Sequence, residues 1–248
     1  MTVLDNENKD CTGCGLCKII CPVSAVEMEE DEYGYIYPHI GDNCINCGRC
    51  FKVCKEIKKG LKSPEIAYAA ARKDDKIMNS SSGGVFAKIA EIYLQNNEVV
   101  CGCRLEADMT AKHVCIEKIE ELDSLLGSKY VQSSIEDVFI PLKKYLEAGK
   151  KVLFCGTPCQ VAAIKEYTGN PESLVTIDLI CHGVPSNKIF KEYIEEVKKE
   201  KHIDYVDKFI FRDKKYGWSY NSTIYYYKKG KYKKVKLCID FLHICLIF

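Results

Sequence analysis

Cys11-Thr12-Gly13-Cys14-Gly15-Leu16-Cys17-Lys18-Ile19-Ile20-Cys21-Pro22 and Cys44-Ile45-Asn46-Cys47-Gly48-Arg49-Cys50-Phe51-Lys52-Val53-Cys54-Lys55 repeat one spacing, C-x2-C-x2-C-x3-C. A tight loop with a ligand at every third residue offers three thiolates to one iron-sulfur cubane, and the fourth must come from elsewhere. In two-cluster chains of this spacing the last cysteine of each run serves the other cluster. This assigns Cys11, Cys14, Cys17 and Cys54 to one 4Fe-4S cluster, and Cys44, Cys47, Cys50 and Cys21 to a second. Gly13, Gly15 and Gly48 agree with such loops, which need positive φ and close backbone approach. Lys55 departs from the pattern, standing where the first run has Pro22.

Other uses of these eight cysteines fit less well. Structural zinc closes one tetrahedral site, typically with two pairs of ligands, whereas each run here carries four cysteines. Disulfide scaffolds are short secreted chains. This chain has 248 residues, and its first residues do not read as a signal peptide. The balance of 36 Lys and Arg against 35 Asp and Glu leaves a formal charge of +1, so no overall field points to nucleic acid or an anionic membrane. No apolar stretch reaches the ~20 residues of a membrane span. Together these features predict a cytoplasmic protein in a reducing setting.

Cysteine density falls after Cys54, and the basic stretch Lys58 to Pro64 reads as a domain boundary. An α+β ferredoxin-like module is therefore expected over residues 1–60, followed by an α/β domain with a mostly parallel or mixed sheet over residues 65–248. In the second domain apolar runs alternate with helical patterns. Strands are predicted at Ile66 to Ala71, Glu98 to Arg104, His113 to Glu117, Lys151 to Cys155, Leu174 to Ile180 and Tyr205 to Phe211. Helices are predicted at Val85 to Gln95, Ile135 to Glu147 and Pro185 to Lys199. A Tyr- and Lys-rich hairpin turning at Lys229-Gly230 closes the sheet edge.

Four loops of this domain carry residues suited to chemistry. Ser80-Ser81-Ser82-Gly83-Gly84 precedes a helix, where it reads either as a phosphate loop or as a serine-capped helix start. Gly156-Thr157-Pro158-Cys159-Gln160 places Cys159 at a helix N-terminus, which favours thiolate; a small buried residue is the alternative. Cys181-His182-Gly183 occupies the equivalent place after the next strand. If these strands are parallel, both loops open on the carboxyl edge of the sheet, where open α/β folds bind ligands. His182 reads as a capping residue or a catalyst. The segment from Phe211 to Trp218, with Arg212, Lys214 and Lys215, reads as a basic aromatic patch for an anionic planar ligand or as a solvated turn. Cys101, Cys103, Cys115, Cys155, Cys238 and Cys245 have no ligand spacing and are expected to be structural.

In their order, SSSGGVF, GSKYVQS from Gly127 to Ser133, GTPCQVAAI, DLICHGVPS from Asp178 to Ser186 and FRDKKYGW resemble the beta subunit family of coenzyme F420 hydrogenases and dehydrogenases. The resemblance implies an iron-sulfur flavoprotein oxidoreductase that passes electrons between clusters, FAD and a small-molecule hydride carrier such as F420. It also implies a redox partner protein or a larger oxidoreductase complex. Ser81, Ser82, Gly83 and Gly84 would then belong to the flavin phosphate site, and Lys129, Tyr130 and Gln132 would line the flavin. The ending from Cys238 to Phe248 does not match the family, which implies a truncated chain. Cys159 and Cys181 would be two ligands of a possible third cluster, completed only in a full-length chain. An electron-transfer adaptor subunit without its own substrate, or a truncated non-functional fragment, is the alternative.

Overall fold

In a computed structural model, the described residues are 2, 11–57, 66–218 and 221–237; the expected boundary from Lys58 to Pro64, Cys238 and Cys245 lie outside them. The N-terminal module is built from α1 (Leu16–Ile19), the hairpin β1 (Val26–Glu30) and β2 (Ile36–Ile40), and α2 (Arg49–Ile57). The hairpin between the two cysteine runs has no signal in the cysteine spacing. Its antiparallel register pairs Val26 with Ile40 and Glu30 with Ile36. The loop glycines take the left-handed conformation expected of them, with φ of 65° at Gly13 and 75° at Gly15.

The larger domain follows as α3 (Val85–Gln95), β3 (Val99–Leu105), β4 (Ala111–Ile116), α4 (Leu122–Leu125), α5 (Glu136–Glu147), β5 (Val152–Gly156), α6 (Pro158–Thr168) and β6 (Leu174–Asp178). The sheet order is β4-β3-β5-β6. β3, β5 and β6 are parallel, and β4 lies antiparallel on β3, so the sheet is mixed. Its strands are apolar on both faces, as a sheet covered on both sides requires. Val99, Cys101, Val152 and Phe154 pack under α5 and α6, while Val100 and Leu153 pack under α3 and α4. Phe139 and Phe154 are fully buried. Truncating either to Ala would cost ~3–5 kcal/mol.

A second layer holds α7 (Asn187–Lys201) and the antiparallel sheet β7 (Tyr205–Ile210), β8 (Thr223–Lys228), β9 (Lys231–Lys236). Ser186 caps α7 by accepting from the Ile189 amide at 3.3 Å. Phe190, Ile194 and Val197 then recur at helical spacing, and all three are buried against Phe209, Phe211 and Ile224. The β8–β9 hairpin turns at Lys229 and Gly230, both with positive φ, as its sequence predicts, but it pairs with β7 in this separate sheet rather than closing the edge of the β4-β3-β5-β6 sheet.

One predicted strand is absent. Residues 66–71 form no strand, and Ile66 and Tyr68 are 65% and 85% exposed. The apolar run looked strand-like, but it pairs with no edge of the sheet; instead its end supports the next loop, with the Arg72 amide donating to the Gly83 carbonyl at 2.8 Å. His113 to Glu117 also starts earlier than expected, at Ala111, because β4 registers on β3 from Leu105 opposite Ala111. Cys101 and Cys115, directly opposite each other in that register, are joined as a disulfide. The strand expected to reach Ile180 stops at Asp178, and Ile180 is 96% exposed.

The module docks on the α5–α6 face. Leu16 and Val53 share the buried cluster that contains Phe139, Phe154 and Val161. Lys18 pairs with Glu136 at 2.8 Å, Ser186 donates to the Tyr33 carbonyl at 2.5 Å, and Lys188 donates to the Glu32 carbonyl at 2.8 Å. These contacts bring the first cysteine loop to the carboxyl edge of the larger sheet.

Candidate redox site

Two short helices fix the thiols of the module. α1 and α2 pack on each other, and Cys17 and Cys50 are buried in one small cluster with Val26. The Cys14 thiol is pushed up to about 11 by burial, against the Leu16 amide, with Cys11, Cys159 and Cys54 adding to the rise. Burial likewise pushes Cys17 up to about 12, with Cys14, Cys11 and Cys50 as its sulfur neighbours. Cys14 and Cys17 thus draw neighbours from the second run as well as from their own. Cys21 behaves in the opposite way. Burial would raise it, but the amides of Val23, Ala25, Val26 and Ser24 outweigh that and hold the thiol below its ordinary range. The Ala25 amide donates to its sulfur at 3.2 Å, and on the other run the Asn46 amide donates to Cys44 at 3.4 Å. Amide-to-sulfur hydrogen bonds of this kind tune cluster potentials.

Among the described residues, no three His, Cys, Asp or Glu side chains converge on a single metal ion. A cubane does not require that convergence, because each of its four irons takes one thiolate. Buried thiols held protonated by their surroundings are suited to a metal, which deprotonates a coordinating thiol outright.

Beside the Cys14 loop opens a cavity of about 540 Å³. Residues 80–87, 125–133, 155–157, 159, 160 and 179–184 frame it, and Thr12, Gly13 and Cys14 form part of its wall. All nine residues expected at the cofactor site, Ser81, Ser82, Gly83, Gly84, Lys129, Tyr130, Gln132, Cys159 and Cys181, line this one space. The parallel strands β5 and β6 explain the convergence, because both strand ends open on the same edge.

Each loop is held from outside the cavity. Ser81 accepts from the Ser128 amide at 2.5 Å and lies 2.7 Å from its hydroxyl, which ties the serine loop to the 127–133 segment. Gly84 caps α3 in the left-handed region, φ 77°, with Arg72 packed beneath it. A Cβ on Gly83 would collide with the Ala70 carbonyl oxygen. Thr157 forms a capping box with Gln160, Pro158 opens α6, and Cys159 sits in the first turn 3.1 Å from the Thr157 hydroxyl. Gln160 donates to the Ser133 carbonyl and hydroxyl, each at 2.9 Å. Cys181 is exposed on the rim.

The basic aromatic segment packs against the serine loop rather than standing as a solvated turn. Lys214 is buried, with its ammonium donating to the carbonyls of Ile77 at 2.8 Å and Ser82 at 2.6 Å, 4.1 Å from the Trp218 ring centre. Arg212 donates to the Trp218 carbonyl at 3.1 Å and lies 3.5 Å from the Tyr130 hydroxyl. The segment clamps the serine loop from the second sheet.

The cavity also holds groups that the sequence did not single out. Cys103 and Cys155, expected to be structural, line it, as does His113. His113 lies 3.0 Å from the Cys155 carbonyl through Nε2, so Nε2 carries the proton, and Nδ1 is buried without a partner. Burial, opposed by that carbonyl and reinforced by Lys129, lowers His113 to about 4. The Gln132 Oε1 is a second buried, unpartnered acceptor, on a side chain whose Nε2 lies beside Gly13 of the cysteine loop. Lys129 is lowered to about 8 by burial, with Cys103 and Cys155 opposing and Lys208 assisting. A histidine inside a β-strand gives no periodic signal that marks it as a site residue.

Two cysteine runs at cluster spacing thus stand beside a loop-framed cavity, with Cys14 in its wall. Residues 10–56 match the family model described as the 4Fe-4S dicluster domain, and residues 149–244 match the one described as the C terminus of the coenzyme F420 hydrogenase/dehydrogenase beta subunit. The chain is 25% identical over 203 residues to the uncharacterized protein MJ1349 of Methanocaldococcus jannaschii, covering 66% of this chain and 54% of that protein. It therefore spans about half the length of the curated relative it matches. A chain of the F420-reducing NiFe hydrogenase complex from Methanosarcina barkeri, in a xenon derivative, is 18% identical with a TM-score of 0.45, covering 71% of this chain and 63% of that one. Among the described residues no helix is long and apolar enough to cross a membrane.

Proposed function

We propose that the chain is an iron-sulfur flavoprotein that exchanges electrons between two 4Fe-4S clusters and FAD, and through FAD with a small-molecule hydride carrier such as F420. The observation that carries this reading is the shared wall. The Cys14 loop lies against the same cavity as the serine loop, the 127–133 segment and Cys159, so a planar cofactor held there would stand beside the first cluster. A cavity of about 540 Å³ is of the size that takes a cofactor. The unpartnered acceptors of His113 and Gln132 offer hydrogen bonds to the N–H edge of a heterocycle.

FAD, when bound, converts a two-electron hydride into one-electron steps that cubanes can accept. The chain's own residues would divide the remaining tasks. Ser81, Ser82, Gly83 and Gly84, at the start of α3, would hold phosphate with backbone N–H groups and the positive helix end. Tyr130, Gln132 and Lys129 would line the ring system. Cys11, Cys14, Cys17 and Cys54 would hold the nearer cluster, and Cys44, Cys47, Cys50 and Cys21 the farther one. The farther cluster would then serve a redox partner protein or the rest of a larger oxidoreductase complex.

Anaerobic purification followed by iron, sulfide and flavin analysis tests this reading. About eight irons and one FAD per chain are expected. Eight irons without flavin retention, even after incubation with FAD, would replace it with an electron-transfer adaptor.

A further inference from the structure

Lys129 enters the cavity from the segment after α4. Its ammonium donates to the Leu126 carbonyl at 2.9 Å and the Ser124 carbonyl at 3.2 Å. An ammonium has three N–H donors, so one is left for whatever fills the cavity. Cys103 of β3 and Cys155 of β5 line the same cavity and feel its charge, as does Lys208 of β7 from outside the cavity lining. His113 of β4 also feels its charge. No carboxylate is among these groups, so Lys129 brings a half-buried positive charge to the cavity wall with only carbonyl dipoles to balance it. Burying a cation in this way is costly unless an anion arrives. A cap on a four-residue helix does not by itself require that cost.

We propose that Lys129 is the counter-cation of the cavity, placed to neutralise the charge left on the bound flavin after reduction. This rests on the flavin reading above. Two electrons delivered singly by the clusters, with one proton from water, convert the neutral oxidised ring into a reduced ring of charge −1. Lys129 stabilises that product without giving up its own proton, and it holds the oxidised ring less tightly. The effect is therefore on the flavin's midpoint potential.

The experiment is a spectroelectrochemical titration of the purified chain carrying its clusters and FAD, in wild type, Lys129→Gln and Lys129→Arg, at pH 7. Lys129→Gln is expected to favour the oxidised flavin by tenfold or more, a downward shift of about 30 mV or more for a two-electron couple. Lys129→Arg, which keeps the charge, restores the wild-type value to within a third of that shift. Iron content and FAD stoichiometry report folding for each variant. A wild-type chain that retains no FAD overturns the flavin reading and this inference with it. Flavin retained by Lys129→Gln at an unchanged potential overturns the inference alone and leaves Lys129 as a cap of α4. An equal shift in both variants overturns it too, since the charge would not be what matters.

Discussion

The cysteine module and the loop-framed cavity differ in where their information lies. In the module all eight proposed ligands fall between Cys11 and Cys54, and local spacing alone groups them. The cavity draws on residues from Thr12 to Val184, brought together by a mixed sheet and by a clamp from a second sheet. A site that binds by covalent metal ligation must use cysteine at fixed intervals. One that binds by shape and hydrogen bonds needs only the right atoms in the right places. Breaking the first should leave the second intact, and the reverse.

The largest effect is expected from Cys21→Ser. Four amides stabilise charge on this sulfur, and the crossed assignment makes it the fourth ligand of the Cys44, Cys47 and Cys50 cluster. About half of the roughly eight irons should be lost, and EPR should show the signal of that farther cluster disappearing while FAD content stays the same. Selective loss of the Cys11, Cys14 and Cys17 cluster would break the crossed assignment.

Gly83→Val should do the converse. The added side chain would meet the Ala70 backbone, forcing the serine loop off the segment that supports it, at a cost of ~1–3 kcal/mol. FAD retention should drop tenfold or more with iron unchanged. The sequence reading takes this glycine as part of the flavin phosphate site, where the backbone must approach closely. The structure shows a backbone carbonyl there. Equal loss of iron and flavin would show that the two sites do not fold independently.

Legibility follows the same division. Val85 to Gln95, Glu98 to Arg104 and the Lys229-Gly230 turn could be read because periodicity and turn chemistry are local. Thr157, Pro158 and Cys159 could be read for the same reason, since a capping box lies within four residues. His113, Cys103 and Cys155 could not, because strand alternation says which face a residue takes and not that a cavity opens at the end of that face. The run from Ile66 to Ala71 misled because apolar alternation does not reveal whether a sheet edge is free to pair.

A third effect separates the cavity from the module by pH. His113 is lowered to about 4 from an ordinary 6.5, so the unfolded chain binds more protons than the folded one between these values. Stability from the buried neutral ring is fully present above pH 6.5 and is lost as pH falls toward 4, about 3 kcal/mol in all. Urea unfolding of wild type and His113→Gln at pH 7 and pH 4.5 checks this. The variant should lose less stability across the interval, and parallel losses would assign the acid sensitivity elsewhere.

The smallest effect tests whether the second sheet belongs to the cavity at all. Lys214 is buried between Ile77 and Ser82, and burial, with Arg212 adding to it, lowers its pKa. It remains an ammonium because two carbonyls accept from it. Lys214→Met keeps much of the length and the contact with Trp218 but leaves both carbonyls without that donor. A hydrogen bond to a charged group contributes ~1.5–3 kcal/mol, and part of that is recovered by water at the loop. A weakening of FAD binding by about tenfold follows, measured by fluorescence titration, with the two cluster signals unchanged. Lys214→Arg should lie between the two, since its planar fork can reach one carbonyl more easily than both. If Lys214→Met binds FAD as wild type does, the serine loop is held by Ser128 and Arg72 alone, and the sheet of β7, β8 and β9 is packing rather than part of the site.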